Sequence, residues 1–367
     1  MLQRADTDQT LHVLVATPSG VTGQGGIDRI MGTLKSELEQ HDNPDIAARF
    51  LASRGSGHVA LSPFYMIGFC LRMLAARLAG RVDLVHINVS GDGSTYRKLV
   101  IANCARLLGI PYVLHLHGAQ YDEFWRTRRP ILDRWIRHMF ERAAQVVVLG
   151  RVWRDFVSAR APGATIVIVP NATAAPTLPH LGGGKSVHIL FLGRIGERKG
   201  VPQLTSALKN IEHLPGWRAT LAGDGDVEAT RQKVSELGLQ DRIAVPGWVG
   251  PDEVTALLVE ADILVLPSFA ENLPVSVIEG MAFGLAVITT PVGAVEDIIT
   301  DGKTGLLVPP GDVEALTQAL TRAVEDPALR EQLGQAAMEV HRERLNVVAF
   351  ANAICEVWRL AARRRSK

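Results

Sequence analysis

Cysteine is scarce in this chain: Cys70, Cys104 and Cys355 are the only three among 367 residues, and no two stand close together. That spacing indicates neither a disulfide framework nor a thiolate metal site, and it fits a reducing, cytoplasmic setting. Long apolar runs are missing too. No uninterrupted stretch approaches the roughly 18 residues a membrane-spanning helix needs. Met1 to Thr10 is polar and acidic rather than basic and then apolar, which argues against an export signal. Aromatic residues make up 5% and charged residues 21%, against 47% apolar, so a soluble globular chain without long disorder is expected.

A large net charge is also absent, but the value of +1 hides an asymmetry. Residues 1–180 carry 20 Lys/Arg against 14 Asp/Glu, a surplus of +6, whereas 181–367 carry 19 against 24, a deficit of −5. A basic first half is a statement about anionic partners rather than about fold. No nucleic-acid recognition motif accompanies it, and its helices read as amphipathic rather than uniformly basic.

What the chain does contain is alternation. At roughly 150 residues per domain, its length points to two domains. In the first half, strand-like runs at 11–18, 45–51, 83–88, 111–117, 144–150 and 165–171 alternate with helical stretches near 27–40, 66–80, 95–108, 130–143 and 151–160. The segment Ala172 to Lys185, with prolines and three consecutive glycines, reads as a linker. Alternation then restarts, with strands at 187–193, 217–223, 242–247, 262–267, 285–290 and 305–309, before three helices close the chain. The expected fold is α/β: two Rossmann-like, doubly wound domains facing a central cleft, with ligands beyond the carboxyl ends of the strands. The domains are drawn at 1–178 and 179–345. Residues 346–367 form a terminal helix and basic tail able to pack back on the first domain.

Four segments carry candidate chemistry. Gly23-Gln24-Gly25-Gly26 follows the first strand, where glycines let backbone N–H groups approach an anion at a helix start. The spacing is not GxGxxG, and a plain turn reads equally well. The second segment is FLGRIGERKG, Phe191 to Gly200, in which Arg194 and Lys199 sit on a strand-end loop able to neutralise a leaving diphosphate. Arg198 reads there as solvated, and a charged surface loop is the plainer alternative. In FAENLPVSVIEGMAFG, Phe269 to Gly284, Glu271 precedes a helix and Glu279 lies within it. Both carboxylates suit sugar and ribose hydroxyls, with an ordinary cap and a surface glutamate as the alternative. Last, His115 and His117 share one face of a strand, and His117 suits a hydrogen bond to a sugar or phosphate, or a proton transfer near neutral pH. A structural role for that pair stays open. Metal binding is not indicated, and Asp224-Gly225-Asp226 reads as a loop leading into a helix.

Together these residues resemble the GT-B glycosyltransferases of family 4, a large retaining group. GRIGERKG is similar to the family's G-R-x-x-x-x-K-G, GDGD to its G-x-G loop and ENLPVSVIEG to its E-x7-E motif. TTPVGAVEDIITDGKTGLLVPPGD resembles the stretch that closes the nucleotide site, GGIDR the phosphate-side loop, and HLHG the acceptor-side histidine motif. The resemblance implies that Arg194 and Lys199 bind the donor diphosphate, that Glu271 contacts the transferred sugar with Asn272 and Leu273 beside it, and that Glu279 takes the ribose. It also implies that Gly25 and Gly26 approach the phosphates or acceptor, and that His117 lines the reaction centre. It further implies catalysis without a metal or other cofactor. Asn272 stands where the family frequently has glycine, and GDGSTYRK, 91–98, marks a subgroup similar to exopolysaccharide and O-antigen assembly enzymes.

The function expected is therefore retaining hexosyl transfer from a GDP-mannose or UDP-hexose type donor to a saccharide, lipid-linked acceptor in polysaccharide biosynthesis. An NDP-sugar 2-epimerase of the same fold and a non-catalytic nucleotide-binding partner are the alternatives. Residues 65–81, with three arginines and no acid, and 124–142, with six arginines and several aromatics, suit peripheral contact with the inner face of the cytoplasmic membrane. Cover helices with solvated arginines are the plainer account of both.

Overall fold

The structure, a computed structural model, describes residues 10–21, 23, 25–41, 45–55, 57–178, 180–182 and 184–363. Gln24 of the glycine loop, Met1 to Gln9 and the tail from Arg364 lie outside the described residues. The chain divides into two compact units, Met1–Pro170 with Val347–Lys367, and Asn171–Asn346.

The first unit alternates β1 (Leu11–Thr17), α1 (Gly26–Gln40), β2 (Ile46–Ala52), α2 (Ser62–Leu78), β3 (Leu84–Val89) and α3 (Gly93–Leu107). It continues through β4 (Tyr112–Leu116), α4 (Tyr121–Arg126), α5 (Pro130–Glu141), β5 (Gln145–Val148), α6 (Arg151–Arg160) and β6 (Ile166–Ile168). Its sheet is parallel, in the order β2-β1-β3-β4-β5-β6. Every residue of β3, β4 and β5 is buried, as a strand covered on both faces requires, and this is why those runs are largely apolar rather than alternating, with His86, Asn88, His115 and Gln145 as buried polar exceptions. Chain order reverses between β1 and β3, which opens a crevice at their carboxyl ends.

The second unit holds β7 (Val187–Leu192), α7 (Val201–Asn210), β8 (Trp217–Ala222), α8 (Val227–Glu236), β9 (Ile243–Gly247), α9 (Pro251–Glu260) and β10 (Ile263–Leu266). Then come α10 (Val275–Ala282), β11 (Ala286–Thr289), β12 (Leu306–Leu307), α11 (Val313–Glu325) and α12 (Pro327–Val340). This sheet is also parallel, in the order β12-β11-β10-β7-β8-β9, with its reversal between β7 and β10. The loops after β7 and β10, which carry the two best sequence motifs of this half, therefore flank the switch point of the sheet, where doubly wound folds generally take their ligands. Asp224 to Asp226 form the turn into α8.

The last helix, α13 (Val347–Arg363), belongs to the first unit and packs against α1, β3 and β4. Its inward face carries Phe350, Ile354, Cys355 and Trp358, all buried. Side-chain packing also brings two cysteines together that sequence spacing kept apart. Cys70 of α2 and Cys104 of α3 are free thiols, and burial, with Cys104 beside it, pushes the Cys70 thiol up to about 12.

One expectation about surfaces needs correcting. Phe124, Trp125 and Phe140 are core residues rather than interface aromatics, with Trp125 donating its indole N–H to Asp133 at 2.8 Å. Of the 124–142 segment only Ile131 and Trp135 are large apolar side chains facing solvent. The exposed apolar stripe lies on α2 instead, where Phe64, Ile67, Leu71, Leu74 and Leu78 recur at helical spacing. Among the described residues, no helix is long and apolar enough to cross a membrane.

Candidate functional site

In the second unit, the β7 loop turns sharply because its glycines allow it. Gly200 has φ +71, and a Cβ there would lie 2.0 Å from the Pro267 carbonyl oxygen, so the loops after β7 and β10 touch backbone to backbone. That contact sets the chemistry. Lys199 Nζ lies 2.5 Å from Glu271 Oε1, with side chains only 13% and 9% exposed. Arg198 is not simply solvated, contrary to the sequence reading. It donates to the Ala270 carbonyl at 2.7 Å, stands 3.9 Å from Glu271 Oε1, and its own carbonyl accepts from Phe269 N at 2.9 Å. Arg194 reaches outward, 3.6 Å from Asp224 Oδ2 and well exposed.

Glu271, Asn272 and Leu273 lead into α10, whose first turn is capped by no side chain. Its N–H groups are therefore available to an anion. Asn171 donates to the Leu273 carbonyl at 2.8 Å and fixes that approach. From the far side, Gly293 lies against the Glu271 and Asn272 carbonyls, and Ala294 N donates to Asn272 O at 2.7 Å. Thr290 Oγ1 donates to the Ser268 carbonyl at 2.6 Å. Glu279 is half-buried in the second turn of α10. The loop thus has backbone supports and a cationic neighbour, yet the buried oxygens Asn171 Oδ1 and Ser268 Oγ have no hydrogen-bond partner. Such atoms are rare in folded chains and mark places where a polar ligand completes the network.

In the first unit, Gly25 is the N-cap of α1 and Gly26 its first residue, both exposed. Gly23 is required by packing, since a Cβ there would meet Asp28 Oδ2 at 2.1 Å. The histidines of β4 form a cluster larger than the pair the sequence displays. The rings of His115 and His117 are 4.0 Å apart between centroids, and His115 Nδ1 lies 3.3 Å from His86 Nε2 on β3. Trp358 Nε1 points at His86 Nδ1 at 2.9 Å. An indole N–H only donates, so His86 Nδ1 accepts, its Nε2 carries the proton, and His115 Nδ1 accepts in turn. Asn88 donates its amide to Ala16 O at 3.2 Å, which turns its oxygen toward His117 Nε2 at 2.8 Å. His117 accordingly carries its proton on Nε2.

This environment changes the role open to His117. Burial, reinforced by His86, holds it down to about 3, and burial alone takes His86 to about 4. Both are neutral at physiological pH, so His117 offers a fixed neutral hydrogen-bonding group and does not gain a proton near pH 7. Acid must then destabilise this unit. The folded chain keeps these imidazoles neutral where the unfolded chain, with values near 6.5, takes up protons. The stabilisation is present above about pH 6.5 and fades as pH falls toward the folded values, costing about 2 kcal/mol at about pH 5 for fully buried His86 alone. Thermal melts between about pH 8 and pH 5 should show a falling Tm below about pH 6.5; a flat Tm over that range contradicts the neutral cluster.

Sequence reasoning did not find Arg198, Asn171, Gly293, His86 or Trp358. Their roles depend on contacts between distant segments, and only Arg198 and Gly293, each inside a motif, carried any local signal.

Comparison with known proteins agrees with this layout. A family model described as glycosyl transferases group 1 matches residues 181–340, and one described as a glycosyl transferase 4-like domain matches residues 7–172. The chain is 29% identical over 359 residues to the 2-deoxystreptamine N-acetyl-D-glucosaminyltransferase of Streptomyces fradiae, spanning 89% of this chain and 84% of that protein. It is 32% identical over 247 residues to the phosphatidyl-myo-inositol mannosyltransferase of Mycobacterium leprae, spanning 65% of this chain and 63% of the relative. Anabaena HepE, solved in complex with UDP and glucose, shares the fold with a TM-score of 0.74 at 19% identity, covering 94% of this chain and 98% of its own.

Proposed function

This chain belongs to the glycosyltransferases of GT-B fold and family 4 type, and on that premise we propose that it is a retaining hexosyltransferase whose second unit binds the nucleotide-sugar donor. The observation that carries the reading is the Lys199–Glu271 contact at 2.5 Å beside the uncapped start of α10. The ammonium has three donors, and in the donor complex it turns part of them to the diphosphate. Arg194 adds a planar fork for the same oxygens, and the first N–H groups of α10 add a fixed positive field. Glu271 is then free to accept from a sugar hydroxyl, and Glu279 from the ribose.

The reaction proposed breaks the bond between the sugar C1 and the phosphate oxygen, whose electron pair stays on the departing diphosphate. The acceptor oxygen bonds to C1 on the same face, and its proton passes to the leaving phosphate oxygen. Charge separation in that step is favoured by groups already in place, an effect worth several kcal/mol in enzymes generally, roughly 3–4 kcal/mol for a single donor. Glu271 orients the sugar and is not a nucleophile; trapping a glycosyl-enzyme on it with a slow donor would overturn that assignment. The diphosphate's charge is met by side chains, so turnover in EDTA should equal turnover without it, and loss of activity restored by a divalent cation contradicts this.

The donor is of GDP-mannose or UDP-hexose type. UDP and glucose in Anabaena HepE favour the second as the first probe. A panel of UDP-, GDP- and ADP-sugars, scored by thermal shift and by nucleoside diphosphate release, identifies it. Product analysis with donor alone separates this reading from a 2-epimerase, which would return an isomerised donor.

The first unit recognises the acceptor, a saccharide on a lipid carrier in polysaccharide assembly. The α2 stripe supports this: Phe64 is 71% and Leu78 81% exposed, with Arg72 and Arg81 exposed on or beside the helix. An apolar stripe flanked by arginines suits an anionic lipid surface. Co-sedimentation with phosphatidylglycerol vesicles should occur at low salt and weaken at moderate salt, and Phe64→Ser with Leu71→Ser should abolish it without unfolding the chain. No binding by the wild type in either condition contradicts the attachment.

A further inference from the structure

The cations that face the donor chemistry are all in the second unit, yet the first unit buries a cluster of its own. Lys98, on the second turn of α3, is 1% exposed and donates from Nζ to Ser53 Oγ, which itself donates to Thr17 O at 2.7 Å. Both serine and threonine stand at carboxyl ends of strands, β2 and β1. Among the described residues no carboxylate lies within ion-pair distance of Lys98. The one acid that acts on it is Asp28, which is occupied by Ser19 N at 3.2 and 3.3 Å and lies against Gly23.

The preceding residue, Arg97, acts on this ammonium, and Arg54 acts in turn on Arg97. Arg97 folds its guanidinium back over the start of α3, where a Cβ on Gly93 would meet its Nη1 at 3.2 Å, and its buried Nε has no hydrogen-bond partner. Arg54 directly follows Ser53 in the chain. Burial, then Arg97, push Lys98 down to about 7, and burial, then Arg54, lower Arg97. Asp28 opposes the Lys98 shift alone, as the smallest of its causes, and desolvation raises its own value. Asp92, at the N-cap of α3, has φ 51, the only non-glycine residue with positive φ among those described. Backbone strain of that kind costs about 1–3 kcal/mol and persists at sites where geometry serves a ligand.

A buried ammonium beside one guanidinium, itself beside a second, with a single, occupied acid, is destabilising unless an anion completes it. We propose that Arg54, Arg97 and Lys98 form an anion subsite of the first unit that takes a phosphate group of the acceptor. It gives GDGSTYRK a purpose, since Arg97 and Lys98 are its last two residues and Asp92 its second. The assignment to the acceptor rests on the reading of this unit as the acceptor side, whereas the existence of the anion site does not.

The test separates the two. Inorganic pyrophosphate is titrated calorimetrically into the full chain, into Lys199→Ala to remove the donor-side contribution, and into Lys199→Ala carrying Lys98→Met. The expected result is binding by Lys199→Ala that falls at least tenfold on adding Lys98→Met. Lys98→Met by itself should melt no lower than wild type without the anion, because methionine fills the buried space without charge. If that variant fails to fold, Arg97→Gln, at a half-buried position, should give the same loss of affinity. Equal pyrophosphate binding with and without these substitutions overturns the subsite. In transfer assays, a phosphate-bearing saccharide should show a lower KM than its neutral parent in the wild type and lose that advantage in Lys98→Met. Loss of pyrophosphate binding with no such KM difference overturns the assignment to the acceptor and leaves a site for free phosphate.

Discussion

Lys199→Ala should lower kcat by about 10²–10³ while the chain still folds. Two physical effects meet at this residue. The ammonium is the least exposed cation at the proposed diphosphate position, 13% exposed, so its field is little screened by water. It is also the partner of Glu271, whose carboxylate is 9% exposed and would be left uncompensated. Removing one partner of a buried pair is strongly destabilising, by about 3–5 kcal/mol, whereas removing both is far milder. Lys199→Ala combined with Glu271→Ala should therefore recover most of the lost stability and none of the lost activity. Lys199→Arg should restore stability better than turnover, since a planar fork does not replace a rotatable ammonium. Steady-state kinetics and thermal melts on these three variants check the argument; a single variant with wild-type kcat contradicts it.

Gly293→Ala should be among the most damaging small substitutions in the second unit. The position has φ +60, and a Cβ would lie 2.2 Å from the Glu271 carbonyl oxygen and 2.4 Å from that of Asn272. Neither oxygen belongs to a flexible side chain, so the loop bearing Glu271 has to move. A displacement of about 1 Å at a catalytic group costs about 10²-fold in rate, and a loss of that size or greater in kcat/KM is expected. Gly302→Ala is the control: its φ is +68, but nothing lies within 4 Å of its Cβ. It should show only the left-handed penalty of about 1 kcal/mol and near-normal activity. Similar losses for the two variants would mean that strain alone, and not the contact with the Glu271 loop, explains position 293.

The parts of this molecule legible in its sequence are those with local causes. Strand and helix alternation shows because buried parallel strands must be largely apolar and helices must not be. Segments 191–200 and 269–284 stand out because charged residues and glycines follow such strands directly, which places them at the end of the sheet where ligands bind. The short α4 escaped notice because six residues give no readable period. Contact partners escaped it for a different reason. Arg198 reads as a solvated neighbour of Lys199 until the loop after β10 brings the Ala270 carbonyl to it across 72 positions. Trp358 sets the tautomer of a histidine 272 residues earlier. His117 reads as a near-neutral acid or base because nothing in HLHG reveals its packing against His86 and His115, and its depressed pKa is a property of that packing. The aromatic residues of 124–142 read as an interface on composition alone, and the helix register turns most of them inward.

The central claim is that this chain transfers a sugar from a nucleotide donor by means of the Lys199 and Glu271 loops. Transfer of label from a nucleotide sugar labelled in its hexose, into acceptor supplied as a membrane extract, tests it most directly. The account predicts that wild-type protein moves label into the saccharide-lipid fraction with release of one equivalent of nucleoside diphosphate, and that Lys199→Ala with Glu271→Ala moves none. Equal incorporation by the double variant, or label that returns only as an isomerised donor, would contradict it.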